Sequence, residues 1–139
     1  MVLSTTIINK EKKMGDRVSI QFSHKDMEWG DKSVVLFHHW GGQQFADFAR
    51  NWAIDFKKKV LKLQEGNGSD PLSRLEPRNV MIQFIKALSD YPTEDFKYHY
   101  YKDDKYLYSD DYLSYSMYFG IDENDGDNSD NGHHVIELS

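Results

Sequence analysis

Two imidazoles, an indole and a pair of glycines stand together at His38-His39-Trp40-Gly41-Gly42. A Gly-Gly pair lets the backbone turn sharply. Where such a pair opens a helix, its peptide N–H groups and the helix dipole suit a phosphate or carboxylate. Asp16-Arg17 opens the strand expected to pair alongside, and arginine suits bidentate contact with the same anions. Asp16, Arg17, His38, His39, Trp40, Gly41 and Gly42 therefore form the candidate binding site. A plainer reading makes Gly41-Gly42 a tight connector, with Trp40 plugging the core, one histidine capping a carbonyl and Asp16-Arg17 a structural ion pair. Adjacent strand residues point to opposite faces, so His38 and His39 do not converge on one metal.

A second chemical signal is the run from Asp122 to Gly132, where Asp122, Asp125, Asp127 and Asp130 offer hard oxygen ligands for a divalent cation such as calcium. The EF-hand register fails. With Gly132 at the sixth loop position, Leu138 falls where the bidentate glutamate belongs. The expectation is a solvated hairpin loop and no obligatory cofactor. His133-His134 follow it, again with diverging side chains.

The elements that must position these groups show in the spacing of apolar residues. Val18, Ile20 and Phe22 alternate with polar residues, as on a half-buried strand. Val34-Val35-Leu36-Phe37 is a continuous apolar run, as on a strand covered on both faces, and the two strands are expected to form an antiparallel hairpin. Phe45, Phe48, Ala49, Trp52, Phe56, Val60 and Leu63 recur at steps of three and four, which predicts a long helix over about 43 to 64. Pro77 suits the first turn of a second helix, whose stripe is Val80, Met81, Phe84, Ile85 and Leu88. Tyrosine-rich strands follow around 97 to 101, 106 to 108 and 112 to 119, with a last strand near 134 to 138. On the third of these, Leu113, Tyr115, Met117 and Phe119 should face the core. The order predicts an α+β fold: a mostly antiparallel sheet with two helices packed on one face. Residues 1 to 13 are expected to form a flexible extension, and 14 to 139 a single domain.

With 139 residues, 39% of them hydrophobic and 14% aromatic, the chain has enough apolar side chain to fold as one domain. No stretch reaches the roughly 18 apolar residues that cross a bilayer, so no membrane partner is expected and the location expected is cytoplasmic. The absence of cysteine excludes disulfides, thiol nucleophiles and Cys-type zinc sites. The net charge of −6 is unevenly placed. Residues 1 to 89 hold 14 basic and 10 acidic groups, whereas 90 to 139 hold 3 basic and 13 acidic, giving +4 and −10. Nucleic acid is thus disfavoured as a direct ligand, because phosphates need a cationic surface.

Met14-Gly15-Asp16-Arg17, the strand ending Phe37-His38-His39-Trp40-Gly41-Gly42, and Gly120-Ile121 before an Asp/Asn-rich turn and a final strand resemble a family of small uncharacterised proteins. Its members occur in bacteria, prophages and phages, open Met-Gly-Asp-Arg-Ala-Asn and carry a Tyr-Thr-His-Trp-Gly-Gly segment. Here Val18-Ser19 replaces Ala-Asn, and Phe37-His38 replaces Tyr-Thr. The resemblance implies that Met14 is an ancestral start and that the glycine corner matters; it implies no activity. No Walker, Rossmann, HExxH or GxSxG motif is present. The expected function is a non-enzymatic interaction or accessory module, phage-related, with an acidic sheet surface and a protein partner, existing as a monomer or homodimer. The alternative is a small phosphate- or nucleotide-binding enzyme using Arg17 and the His38–Gly42 corner.

Overall fold

A computed structural model describes residues 15–27, 31–66, 75–89, 98–102, 105–109 and 117–139. The extension expected over 1 to 13, the Gly30 turn tip and residues 112 to 116 of the third tyrosine-rich strand lie outside them. The chain runs β1 (Val18–Ser23), β2 (Val35–His38), α1 (Gly42–Gly66), α2 (Pro77–Ser89), β3 (Tyr98–Lys102), β4 (Lys105–Ser109), β5 (Met117–Gly120) and β6 (His133–Glu137). This is the α+β class the spacing predicts. The strands divide into a four-stranded sheet in the order β5-β2-β1-β6 and a separate β3-β4 hairpin.

The sheet is mixed: two of its three pairings are antiparallel, in keeping with the mostly antiparallel sheet expected, and the third is parallel. β1 pairs antiparallel with β2, and β2 with β5, but β6 runs parallel to β1 from Ser19 opposite His133 to Ser23 opposite Glu137. β5 and β6 therefore lie at opposite edges with the same direction, and residues 121 to 132 are a crossover, not a hairpin loop. The crossover passes over the sheet face away from the helices. The Asp127 N–H donates to the Tyr118 hydroxyl at 3.0 Å, and the Asn128 amide donates to Ser19 Oγ at 2.9 Å. A Cβ on Gly126 would lie 2.7 Å from the rings of both Phe37 and Tyr118, so only glycine lets the crossover descend onto that stack.

The core lies on the helix side. Val18, Ile20 and Phe22 of β1, Leu36 of β2 and Ile136 of β6 pack with Phe45, Ala46, Ala49 and Val60 of α1 and with Val80, Met81 and Phe84 of α2. Phe48, Trp52 and Phe56 join as half-buried neighbours, with Trp52 stacked on Phe56 at 4.8 Å and edge-on to Phe84 at 5.1 Å. Because the crossover covers the other face, β1 is buried on both sides. Ser19, Gln21 and Ser23 are buried along with the apolar residues between them, where alternation alone predicts a half-buried strand.

Two edge positions depart from expectation. Val34 is 43% exposed and precedes β2, so the covered part of the apolar run begins at Val35. Met117 packs against the core, but Phe119 on the same face, opposite Leu36, is 56% exposed. At the outer strand the helices no longer cover it.

Candidate functional site

The glycine corner is closed by the chain itself. The Asp16 N–H donates to the His39 carbonyl at 2.7 Å, and the Gly42 N–H donates to the Asp16 carbonyl at 2.7 Å. The amide expected to meet an anion is thus bound to backbone oxygen. Gly42 has φ of +67°, and a Cβ there would lie 2.5 Å from Asp16 Oδ2. Gly41 is equally tight, its would-be Cβ being 2.8 Å from Phe45 Cβ and 2.9 Å from the His38 ring. The Asn131 amide donates to Asp16 Oδ1 at 2.7 Å, which ties the corner to the crossover.

His38 is fully buried and meets Phe45 edge-on at 4.7 Å. Burial, assisted by the charge of His39, pushes its pKa down to about 3, so the ring is neutral at physiological pH. Its Nδ1 accepts from the Trp40 N–H at 3.3 Å. Trp40 itself is 40% exposed and tilts against His39 with centroids 5.0 Å apart, so it does not plug the core. A two-residue turn after β2 carries it outward.

Arg17 is gripped by the acidic crossover. Its Nε lies 3.1 Å from Asp127 Oδ2 and its Nη1 3.3 Å from Asp130 Oδ2, while its backbone N–H donates to Asp130 Oδ2 at 2.9 Å. Hydrogen bonds from Ser129, and then the charge of Arg17, hold Asp127 below the usual carboxylate range. Asp125 Oδ2 accepts the N–H groups of Ile121 and Asp122, and Asp122 Oδ1 accepts that of Asn124. The four aspartates expected to offer calcium ligands are thus turned toward Arg17 and their own backbone. Among the described residues no group of three metal-ligating side chains converges.

Spacing did not reveal a directional chain of hydrogen bonds beneath the crossover. Asn128 donates to Ser19 Oγ, Ser19 Oγ lies 2.7 Å from His133 Nδ1, His133 Nε2 lies 3.2 Å from Gln21 Oε1, and Gln21 Nε2 donates to the Ser33 carbonyl at 2.8 Å. A neutral His133 carrying its proton on Nε2 satisfies every member. Burial lowers the His133 pKa, which favours that form. His134 points the other way, 2.6 Å from the Arg50 guanidinium, as alternation on a strand requires. The chain borders a cavity of about 450 Å³ lined by Gln21, Lys32, Arg78, Asp122, Glu123 and His133. Two cations and two carboxylates share its rim, and Ser19 is buried below it, so the hydroxyl is not presented as a nucleophile.

No protein family, curated protein or solved structure matches this chain.

An exposed apolar and acidic surface lies at the β5 edge. Ile121 is 84% exposed and Phe119 56%, and the exposed carboxylates of Asp122 and Glu123 follow directly. At the opposite edge, α1 and β6 enclose a groove of about 290 Å³ lined by Arg50, Ala53, Ile54, Lys57, Ile136 and Leu138. The sequence signal for the first was Ile121 at the start of the acidic run; the second needed the parallel placement of β6.

Proposed function

We propose that the protein is a non-enzymatic interaction module whose acidic β5 edge receives an extended protein segment bearing basic and apolar residues. The observation that carries the reading is the exposure of Phe119 on an outer strand and of Ile121 just beyond its end, immediately before Asp122 and Glu123. An outer strand offers unpaired backbone groups, and the apolar side chains beside it provide contact area. The flanking carboxylates select a cationic partner and quicken its encounter. The alternative of phosphate binding at the His38–Gly42 corner is less well supported, because the Gly42 amide and the Arg17 guanidinium are already held by Asp16, Asp127 and Asp130. The phage or prophage setting implied by the resemblance, and a cytoplasmic location, belong to the same proposal.

Fluorescence anisotropy with labelled peptides tests it. An alternating Lys-Val peptide should bind, more weakly as salt rises, and an alternating Glu-Val peptide should not. Equal behaviour of the two peptides, or binding indifferent to salt, would contradict the reading.

A further inference from the structure

His133 stands where the crossover rejoins the sheet. It is the first residue of β6, opposite Ser19 of β1, and both nitrogens of its ring are engaged. Ser19 Oγ lies 2.7 Å from Nδ1, and Gln21 Oε1 lies 3.2 Å from Nε2. The direction of these bonds is fixed from outside the ring. Gln21 turns its amide nitrogen to the Ser33 carbonyl, which leaves its oxygen as an acceptor, so Nε2 donates. Asn128 donates to Ser19 Oγ, and the serine hydroxyl then gives its own hydrogen to Nδ1. A second proton on the ring would turn Nδ1 from acceptor into donor. Ser19, fully buried, would face two donors at once, Nδ1–H and the Asn128 amide, with its own hydrogen deprived of the acceptor it has in this network.

We propose that His133 is a proton-operated latch: its neutral ring holds Asn128, and with it the middle of the crossover, down on the sheet, and protonation of the ring releases them. The ring borders the cavity of about 450 Å³, through which solvent reaches it. The charged groups facing it there are Lys32 before β2, Arg78 of α2, and Asp122 and Glu123 of the crossover; His134 follows on β6 but turns to the other face, against Arg50. Burial, joined by the charges of His134 and Lys32, outweighs the attraction of Glu123 and keeps the ring pKa below the ordinary imidazole value. A released ring therefore takes up a proton more readily than a latched one, and falling pH favours release. The ties on either side, Asp125 on the N–H groups of Ile121 and Asp122, and Asp127 and Asp130 on Arg17, contain no imidazole. Release is thus local to the stretch around Asn128, whose amide also holds the Glu123 carbonyl. Control of the β5 edge rests on the reading of that edge as an interaction surface: Asp122 and Glu123 lose a fixed position and gain a cation beside them, so a basic segment binds less well as pH falls.

Two-dimensional NMR of the full chain, titrated from pH 7 to pH 5, tests this in the wild-type protein and in His133→Asn, whose side-chain oxygen takes the place of Nδ1 and binds no proton in that range. At pH 7 the His133 ring should carry its proton on Nε2 alone. As Nδ1 becomes protonated, the Asn128 side-chain amide signals should move with the same midpoint. The exchange protection of the Asp127 amide, which donates to the Tyr118 hydroxyl, should fall by up to about tenfold per pH unit, while α1 follows only the global stability. In His133→Asn neither probe should respond. A proton on Nδ1 at pH 7, a His133 that titrates while Asn128 and Asp127 stay unmoved, or the same response in the variant would overturn the latch; should the variant fail to fold, the wild-type titration decides alone. The Lys-Val peptide separates the two readings. Affinity that falls from pH 7 to pH 5 in the wild-type protein but holds in His133→Asn supports control of the β5 edge, and affinity indifferent to pH beside an opening latch overturns that control. A peptide that does not bind at pH 7 sinks the function proposed above and leaves the latch to the NMR result.

Discussion

The Gly42 amide meets the carbonyl of Asp16 at 2.7 Å, closing the strand-to-helix corner with a backbone bond instead of leaving a donor for a ligand. The same glycine sits at φ +67° with Asp16 Oδ2 where a Cβ would be. Gly42→Ala should therefore lower stability by about 1 to 3 kcal/mol, through the left-handed backbone and the forced retreat of Asp16. Urea denaturation checks the loss, and a thermal-shift series with phosphate should show no saturable stabilisation in the wild-type protein.

Phe84 is the hub of the aromatic core, within 6 Å of Phe22, Phe45, Phe48 and Trp52 by ring centroid. Phe84→Ala should cost about 4 kcal/mol and Trp52→Ala about 3, because Trp52 keeps part of its surface in water. Chemical denaturation should give that order; a larger loss for Trp52 would contradict the packing described.

His38 makes stability depend on pH. Its pKa is about 3 in the folded protein against about 6.5 when unfolded, so between those values the unfolded chain binds the extra proton. The stabilisation is complete above pH 6.5 and declines as pH falls, with a limiting slope of roughly 1.4 kcal/mol per pH unit from this group. His133 adds to the same direction. Urea midpoints at pH 7 and pH 5 measure the decline, and His38→Phe should flatten it.

Ser19→Ala removes the hydroxyl that joins Asn128 to His133. Leaving both partners without it should cost about 1 to 3 kcal/mol. The effect should be local as well: amide hydrogen exchange in 121 to 132 should quicken, while exchange in α1 follows only the global loss.

The helices and the β1-β2 hairpin were legible because each carries its own periodicity within a short window: Phe45, Ala49, Trp52, Phe56 and Val60 define α1 without reference to anything distant. The placement of β6 was not. His133 to Glu137 has the same pattern whether it closes a hairpin with β5 or crosses the sheet to pair with β1; the choice depends on contacts more than a hundred residues apart, such as Asn131 with Asp16 and Asp130 with Arg17. That crossover also explains why Ser19, Gln21 and Ser23, polar and alternating, are buried, and why the aspartates of the acidic run hold Arg17 and their own backbone. The glycine corner was located correctly as a turn, but its amide partner is Asp16, which no spacing rule supplies. The β5 edge was visible only as Ile121 before a run of acids, and its exposure required the strand order.

The peptide-binding role proposed for the β5 edge is tested most directly by mapping amide chemical-shift changes in two-dimensional NMR as the Lys-Val peptide is added to the full chain. The account predicts that the perturbed residues cluster from Met117 to Asp125, and that Phe119→Asp abolishes them. Changes centred on Gly41 to Gln44, or on the cavity between Lys32 and Arg78 with β5 unaffected, would contradict it.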